Sequence, residues 1–328
     1  MSKWSHSLDV MVRTCPRRAF YRSRFASATA RKGSPRHRAF LHAQALELPA
    51  WRGRLVHAAI HEWVVPALKK RTWPDFEWIQ EQAVALVSTQ AEFSRTGKYL
   101  EVSKNLAKIN YCVLRADLLG DGLTGEQLEE TKQGVIAALE VLEDHHIDLL
   151  GRARHARWAD SEKEIRFKLD EEIFVEAIPD LIFYDSNKRG VIVDWKLWDN
   201  TGGTAREQLF AYAFAACKCG WWPELQPQNM ELIEANLISG EQTCYDITED
   251  DFEDVDDRIF IGTDQLIPVF EKPANDSSPE EFAPAEGPGA CQHCSVLEVC
   301  NGSYLPKQKA DEPVKPISLE LFSARRIA

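Results

Sequence analysis

The sequence predicts a mixed α/β core with long helical additions at its front. The hydrophobic period changes from helical to strand-like after about residue 160, and the order across that change is helix, three strands, helix, strand. The composition is that of an ordinary globular chain: 328 residues, 44% hydrophobic and 27% charged, with 8 Cys, 17 Gly and 16 Pro. Collagen-like, disordered and disulfide-mini-protein classes are excluded. No stretch approaches the roughly 18 apolar residues of a membrane helix, so the expectation is a soluble, cytoplasmic protein that binds no membrane.

The elements follow from local patterns. Residues 7–25 mix apolar and basic positions around Cys15-Pro16, which predicts a short helix, a turn and a basic continuation. In 52–63, Leu55, Val56, Ala59, Ile60 and Trp63 recur at three- and four-residue steps and form one apolar helical face. Further helices are expected at 76–94 and 104–119. Thr124 and Gln127 have capping-box spacing at the head of a helix running to about His146. Three strands follow, at 165–169, 173–184 and 191–196, the last two joined by the turn-rich DSNKRG, so a meander is expected. A helix at about 203–218 and an apolar segment at 230–239 complete the core. The acidic run ITEDDFEDVDD reads as a solvated helix face. Residues 272–290 read as a Pro-rich linker, and those after 305 as a loose tail.

The net charge of −12 conceals an asymmetry. Residues 1–72 hold fifteen Lys/Arg against Asp9, Glu47 and Glu62, a net of +12, leaving −24 for the remainder. A basic front of this kind suits a polyanion, although an Arg-, Ser- and Ala-rich opening also has the composition of a transit peptide.

The sharpest chemical signal is Pro179-Asp180, thirteen residues, then Asp194-Trp195-Lys196. On paired strands the two carboxylates converge at one edge, and Asp194 and Lys196 share a face because strand side chains alternate. Such hard oxygen ligands suit Mg²⁺ or Mn²⁺, and a neighbouring ammonium can orient a water for phosphodiester hydrolysis. A D-x-K triplet alone arises about once by chance at this length. Its weight comes from lying inside the apolar runs IPDLIF and VIVDWK, where an unpaired carboxylate is costly. His57 and His61 have the separation of a zinc-protease pair, but position 58 is Ala, so the general base is missing from its place.

IPDLIFY with VIVDWK resembles the PD-(D/E)xK nuclease pattern, and Gln208 and Tyr212 in REQLFAYAF match the Q-x-x-x-Y spacing of the RecB-like branch. GRLVH resembles that branch's glycine-to-histidine motif. The resemblance implies a restriction-endonuclease-like core, a sheet flanked by helices, with a large helical insertion and a C-terminal iron–sulfur segment. It implies His57, Asp180 and Asp194 as ligands of Mg²⁺ or Mn²⁺, with the Trp195 carbonyl as a further ligand. Lys196 would position the attacking water, while Gln208 and Tyr212 would hold Lys196 or the DNA backbone. About 120 residues separate His57 from Asp180, more than in small members of the branch, so an insertion lies between them.

Cys291, Cys294 and Cys300 form a compact thiolate group needing a fourth ligand, for which Cys15 is the natural candidate. Spacing alone suits Cys₄ zinc or an iron–sulfur cluster. The resemblance to RecB-like nucleases that pair an early Cys-Pro with a terminal C-x₂-C-x₅-C, among them AddB nuclease domains and CRISPR adaptation nucleases, implies a [4Fe-4S] cluster. A ligand at Cys15 also retains the basic segment in the mature protein, where Arg13, Arg17, Arg18, Arg22 and Arg24 would lie near the cluster and reach DNA phosphates. Cys112, Cys217, Cys219 and Cys244 read as small buried apolar residues.

The expected organisation is one integrated nuclease domain: a basic segment (1–50), a helical region with His57 and the insertion (51–160), the nuclease core (161–271), a linker (272–290), the cysteine group (291–305) and a tail (306–328). The implied function is a deoxyribonuclease, an exonuclease or end-processing enzyme on single-stranded or frayed DNA in repair, phage or CRISPR defence. Its partners would be helicase, recombination or adaptation proteins. The alternatives are a non-catalytic DNA-binding scaffold subunit and, more remotely, a zinc-stapled interaction protein.

Overall fold

A computed structural model describes residues 2–169, 173–198, 205–220, 226–271 and 277–303. Strand β1 (Ser2–Trp4) is followed by α1 (His6–Thr14) and α2 (Pro16–Phe20), which runs on as a wider turn through Tyr21–Phe25. Pro16 opens α2 at the one position where a missing N–H costs nothing, and Pro35 does the same for α3 (Pro35–Gln44). Helix α4 (Leu48–Ala59) continues through Ile60–Val64 into α5 (Val65–Lys69). Asp75 caps α6 (Phe76–Arg95), its carboxylate accepting the Trp78 N–H at 3.1 Å.

The helix expected over 104–119 is broken into α7 (Lys104–Ala107) and α8 (Arg115–Leu119). Between them Tyr111, Cys112 and Val113 lie outside any helix and are buried, and the Gln90 side chain on α6 donates to the Ile109 carbonyl. Tertiary bonding to the backbone there replaces helical bonding. Helix α9 (Gly125–His145) carries the expected box at its start, with Thr124 and Gln127 bonded reciprocally, and α10 (Ile147–His155) follows.

The strands are β2 (Trp158–Asp160), β3 (Ile165–Lys168), β4 (Ile173–Ala177), β5 (Leu181–Tyr184) and β6 (Gly190–Lys196). After α11 (Arg206–Lys218) come β7 (Met230–Asn236), β8 (Gln242–Tyr245), α12 (Glu249–Glu271) and the short α13 (Gly289–Gln292). A simple meander is not what forms. The run 173–184 breaks at Ile178-Pro179, so β4 joins a three-stranded sheet β1-β4-β3, whereas β5 joins a five-stranded sheet β2-β5-β6-β7-β8. Proline cannot donate to a ladder, and the break falls where the chain leaves one sheet for the other. Strands β6 and β7 are parallel, with α11 in the connection between them, and the other pairs of the larger sheet are antiparallel.

The larger sheet is covered on both faces, as expected of a mixed α/β core. Leu181, Phe183, Val191, Val193 and Ile233 pack with α4, α6, α9 and α10, while Ile182, Ile192 and Leu232 pack with α1, α11 and α12. Strand β6 is therefore buried along its whole length. Helix α12 crosses α1 at Gly262, where a Cβ would lie 2.8 Å from Trp4 Nε1 and closer still to the Asp9 carboxylate. Among the described residues no helix is long and apolar enough to cross a membrane.

Residues 277–290, expected as a spacer, are instead packed down. Phe282 stacks on Phe20 at 4.3 Å between ring centroids, Arg17 Nε donates to the Phe282 carbonyl at 2.9 Å, and the Arg17 N–H donates to the Ala283 carbonyl at 3.1 Å. Cys244 is exposed on β8 rather than buried, whereas Cys112 is buried. The beginning of the expected linker (272–276), residues 203 and 204 and the expected tail lie outside the described residues.

Candidate active site

Leu181 pairs with Val193 in the β5–β6 ladder, so Asp180, one residue before β5, stands beside Asp194 on β6. The break at Pro179 frees Asp180 from the ladder. Its Oδ2 accepts the Trp195 N–H at 2.8 Å, and its Oδ1 lies 3.2 Å from His57 Nδ1 on α4. Asp194 and Lys196 are two positions apart on β6 and form a close ion pair, both almost fully buried. Lys196 Nζ also donates to Gln208 Oε1 at 3.2 Å, and Gln208 Nε2 donates to the Tyr212 hydroxyl at 2.6 Å. Gln208 and Tyr212 are one turn apart on α11. Helix α11 thus holds the lysine from one side while the strand holds both carboxylates. The residues expected in the motifs, His57, Asp180, Asp194, Lys196, Gln208 and Tyr212, are brought together, and Trp195 is locked between them by its backbone.

Burial pushes the Asp194 carboxyl up to about 7, reinforced by the Asp180 charge and opposed by Lys196. Burial is the largest single influence and lowers His57, but the charge and hydrogen bond of Asp180, with the charges of Asp194 and Glu162, together outweigh it and the imidazole is raised. Tyr212 is raised by burial and stays a neutral hydroxyl. Two carboxylates and an imidazole sharing a buried corner form a hard N/O donor set suited to a divalent cation. Lys196, and to a smaller extent His57, offset the buried Asp194, and a bound cation would relieve the repulsion from Asp180 that adds to its rise. Among the described residues no group of three or more His, Cys, Asp or Glu is preformed as a metal cage. The carboxylates are engaged with Lys196, His57 and the Trp195 amide instead.

These groups open into a cleft of about 780 Å³. Motif reading missed several of its residues: Arg54, Lys104, Lys108, Glu162 and Trp198. His61, set aside with the zinc-protease pattern, lines it too, with Nδ1 2.8 Å from Ser161 Oγ. Glu162 adds to the field on His57 and adopts φ 48°, its N–H bonded to the Pro179 carbonyl at 3.1 Å. Nothing in the sequence marks Glu162. Trp198 had a signal available, two residues beyond Lys196.

Among the described residues the four cysteines of the expected cluster form no preformed metal-holding group, but Cys15 lies near Cys294 and Cys300. Cys291, Cys294 and Cys300 pack in one small cluster with Tyr21, and the Cys15 thiol is near enough to raise both Cys294 and Cys300 electrostatically, after burial as the main cause. The Arg18 N–H points to Cys15 Sγ at 3.3 Å, the Arg17 and Arg18 charges oppose the rise at Cys300 and Cys294, and Arg18 Nε is buried without a partner. Arg17 is buried rather than displayed for DNA.

A family model of the PD-(D/E)XK nuclease superfamily matches residues 3–301. The chain belongs to that superfamily. The match spans both sheets, the cleft and the cysteine segment, so the helices between His57 and Asp180 lie within the PD-(D/E)XK nuclease unit. Among curated proteins there is no match. Among solved structures the chain is similar to the crystal structure of SSO0001, at 11% identity over 67% of this chain and 86% of that one, with TM-score 0.27. It is also similar to that of protein VC1899 from Vibrio cholerae, at 9% identity over 66% of this chain and 56% of that one, with TM-score 0.22.

Proposed function

We propose that the protein is a metal-dependent deoxyribonuclease of the RecB-like branch, an exonuclease or end-processing enzyme acting on single-stranded or frayed DNA. The observation that carries this reading is the set Asp180, Asp194 and Lys196 at one corner of a cleft, with Lys196 held by Gln208 and Gln208 by Tyr212. His57, Asp180 and Asp194 would hold Mg²⁺ or Mn²⁺, with the Trp195 carbonyl as a further ligand. The bound ion supplies neutralisation of the phosphate charge and a more acidic water. Lys196 orients that water and offsets charge on the phosphoryl oxygens, while Gln208 fixes the direction of its ammonium.

The four cysteines hold a [4Fe-4S] cluster in this reading. Support comes from their convergence, from Arg17 and Arg18 beside them, and from the partnerless buried Arg18 Nε, which suits a net-negative tetrathiolate centre. Segments 1–50, 51–160, 161–271 and 291–305 then act as one nuclease domain stapled at its two ends.

The test is incubation of the purified protein with end-labelled DNA in Mn²⁺, Mg²⁺ or EDTA. Cleavage dependent on the divalent ion and lost in Lys196→Ala is expected, and full activity of that variant would overturn the site. Anaerobically purified protein is expected to be brown and to lose its colour in Cys300→Ala. Colourless protein with stoichiometric zinc would overturn the cluster.

A further inference from the structure

Two lysines and a tryptophan enter the cleft from elements that the nuclease motif does not include. Lys104 and Lys108 come from the segment inserted between His57 and Asp180, and Trp198 comes from just beyond the strand that carries Lys196. Both lysines are exposed, and they lie at the two ends of the single turn of α7. The segment is firmly held. Trp51 Nε1 donates to Gln90 Oε1 at 2.8 Å, the Gln90 amide donates to the Ile109 carbonyl, and Arg54 donates to the Tyr111 carbonyl. Lys108 itself adopts φ 51° and ψ −126°, a conformation that an L residue keeps only where its surroundings impose it.

Trp198 is 47% exposed, yet it is not loose. Its carbonyl accepts the Asn236 Nδ2–H at 3.0 Å, and Lys196 Nζ lies 4.8 Å from its ring centroid. A large aromatic surface is thus held open to solvent beside the catalytic lysine. Exposed lysines attract any phosphate backbone, paired or not. An exposed ring is different, because only an unpaired base can lay its face on it.

We infer that Lys104, Lys108 and Trp198 form a track for one unpaired nucleic-acid strand, the lysines on its phosphates and Trp198 stacked on a base next to the phosphate presented to Lys196. The inference rests on the nuclease reading of the site and assigns its strand selectivity to Trp198. The insertion is then a wall of the substrate groove. A duplex end reaches the carboxylates only after fraying.

Binding measured in EDTA separates this track from catalysis. The full chain and its variants are titrated with fluorescein-labelled oligo(dT) and with a blunt hairpin duplex capped at its open end. Trp198→Ala is expected to weaken oligo(dT) binding by about 5- to 160-fold, the range for loss of one stacked base, while leaving duplex binding within about 2-fold; Trp198→Phe is expected to retain most of the affinity. Lys104→Gln with Lys108→Gln is expected to reduce the salt slope for oligo(dT) by about 0.7 per lysine. Illumination of wild-type protein bound to 5-iodouridine-substituted oligonucleotide is expected to cross-link Trp198, which guards against a misfolded variant. Unchanged oligo(dT) binding in Trp198→Ala, equal losses on strand and duplex, or cross-links confined to other residues would each overturn the track. Loss of cleavage in every sample with these binding differences intact would instead count against the nuclease reading alone.

Discussion

Replacing Arg115 by Met is expected to destabilise the protein by breaking a buried ion pair. Arg115 on α8 is 8% exposed and reaches from the helical half to the cysteine segment, with Nη2 3.1 Å from Glu298 Oε1 and Nη1 donating to the Cys294 carbonyl at 3.3 Å. Its Nε also lies 3.2 Å from Glu47, but that carboxylate is half in water and contributes little. Glu298 is only 4% exposed, so removing Arg115 takes a cationic partner from a buried carboxylate, at a cost of about 3–5 kcal/mol. A chain of this size shifts by roughly 1.5 °C per kcal/mol, which gives a fall in Tm of about 4–7 °C. Thermal unfolding followed by circular dichroism measures it. The loss is expected to persist in 0.5 M salt, because a buried pair is screened little. The double variant Arg115→Met, Glu298→Met is expected to recover part of the loss, since both charges of the pair are then gone. A single variant melting within 2 °C of wild type, or a double variant no better than the single one, would refute the reasoning.

Asp194→Ala is expected to lower cleavage by about 10³-fold or more while leaving the circular dichroism spectrum unchanged, checked with end-labelled DNA in Mn²⁺. Gly262→Ala is expected to cost about 1–3 kcal/mol by pushing α12 off Asp9 and Trp4, read as a shift in urea midpoint with the slope unchanged. Stability is expected to fall as pH drops from about 6.5 towards about 4, because burial, with Arg115 and Arg38 nearby, lowers His42 to about 4 while the unfolded histidine takes its proton near 6.5. The contribution is full above the unfolded value and is lost on acidification, by about 3 kcal/mol. A His42→Gln variant is expected to flatten that part of the profile in urea titrations at stepped pH.

What could be read from the sequence was local. Asp194 and Lys196 share a face because strand side chains alternate, Gln208 and Tyr212 because four residues make a helical turn, and Thr124 and Gln127 bond because they are three apart at a helix start. What failed depended on distant partners. Residues 173–184 have β composition throughout, and only the two-sheet architecture makes Pro179 a crossing point. The 104–119 segment has helical spacing, but Gln90 on another helix claims one of its carbonyls. Strand β1 is three residues long and exists because β4 offers it a parallel partner some 170 positions away. Glu162 is one acidic residue among 51, and nothing but its position over His57 distinguishes it. The basic front was legible as charge but not as geometry, since Arg17 turns inward to Phe282.

The clasp between Arg17, Phe20 and Tyr21 on one side and Phe282, Ala283 and Val299 on the other has a consequence in time. At about 5–20 residues per second, the ribosome delivers Val299 roughly 15–60 s after Tyr21. For that interval Phe20, buried in the finished protein, has no ring to stack on, and Cys15 waits for the three thiols that gather beside it. A segment made late therefore closes onto one made early. A newly synthesised chain passes through a state in which its cleft elements are all present while residues 17–21 and 282–299 are still apart.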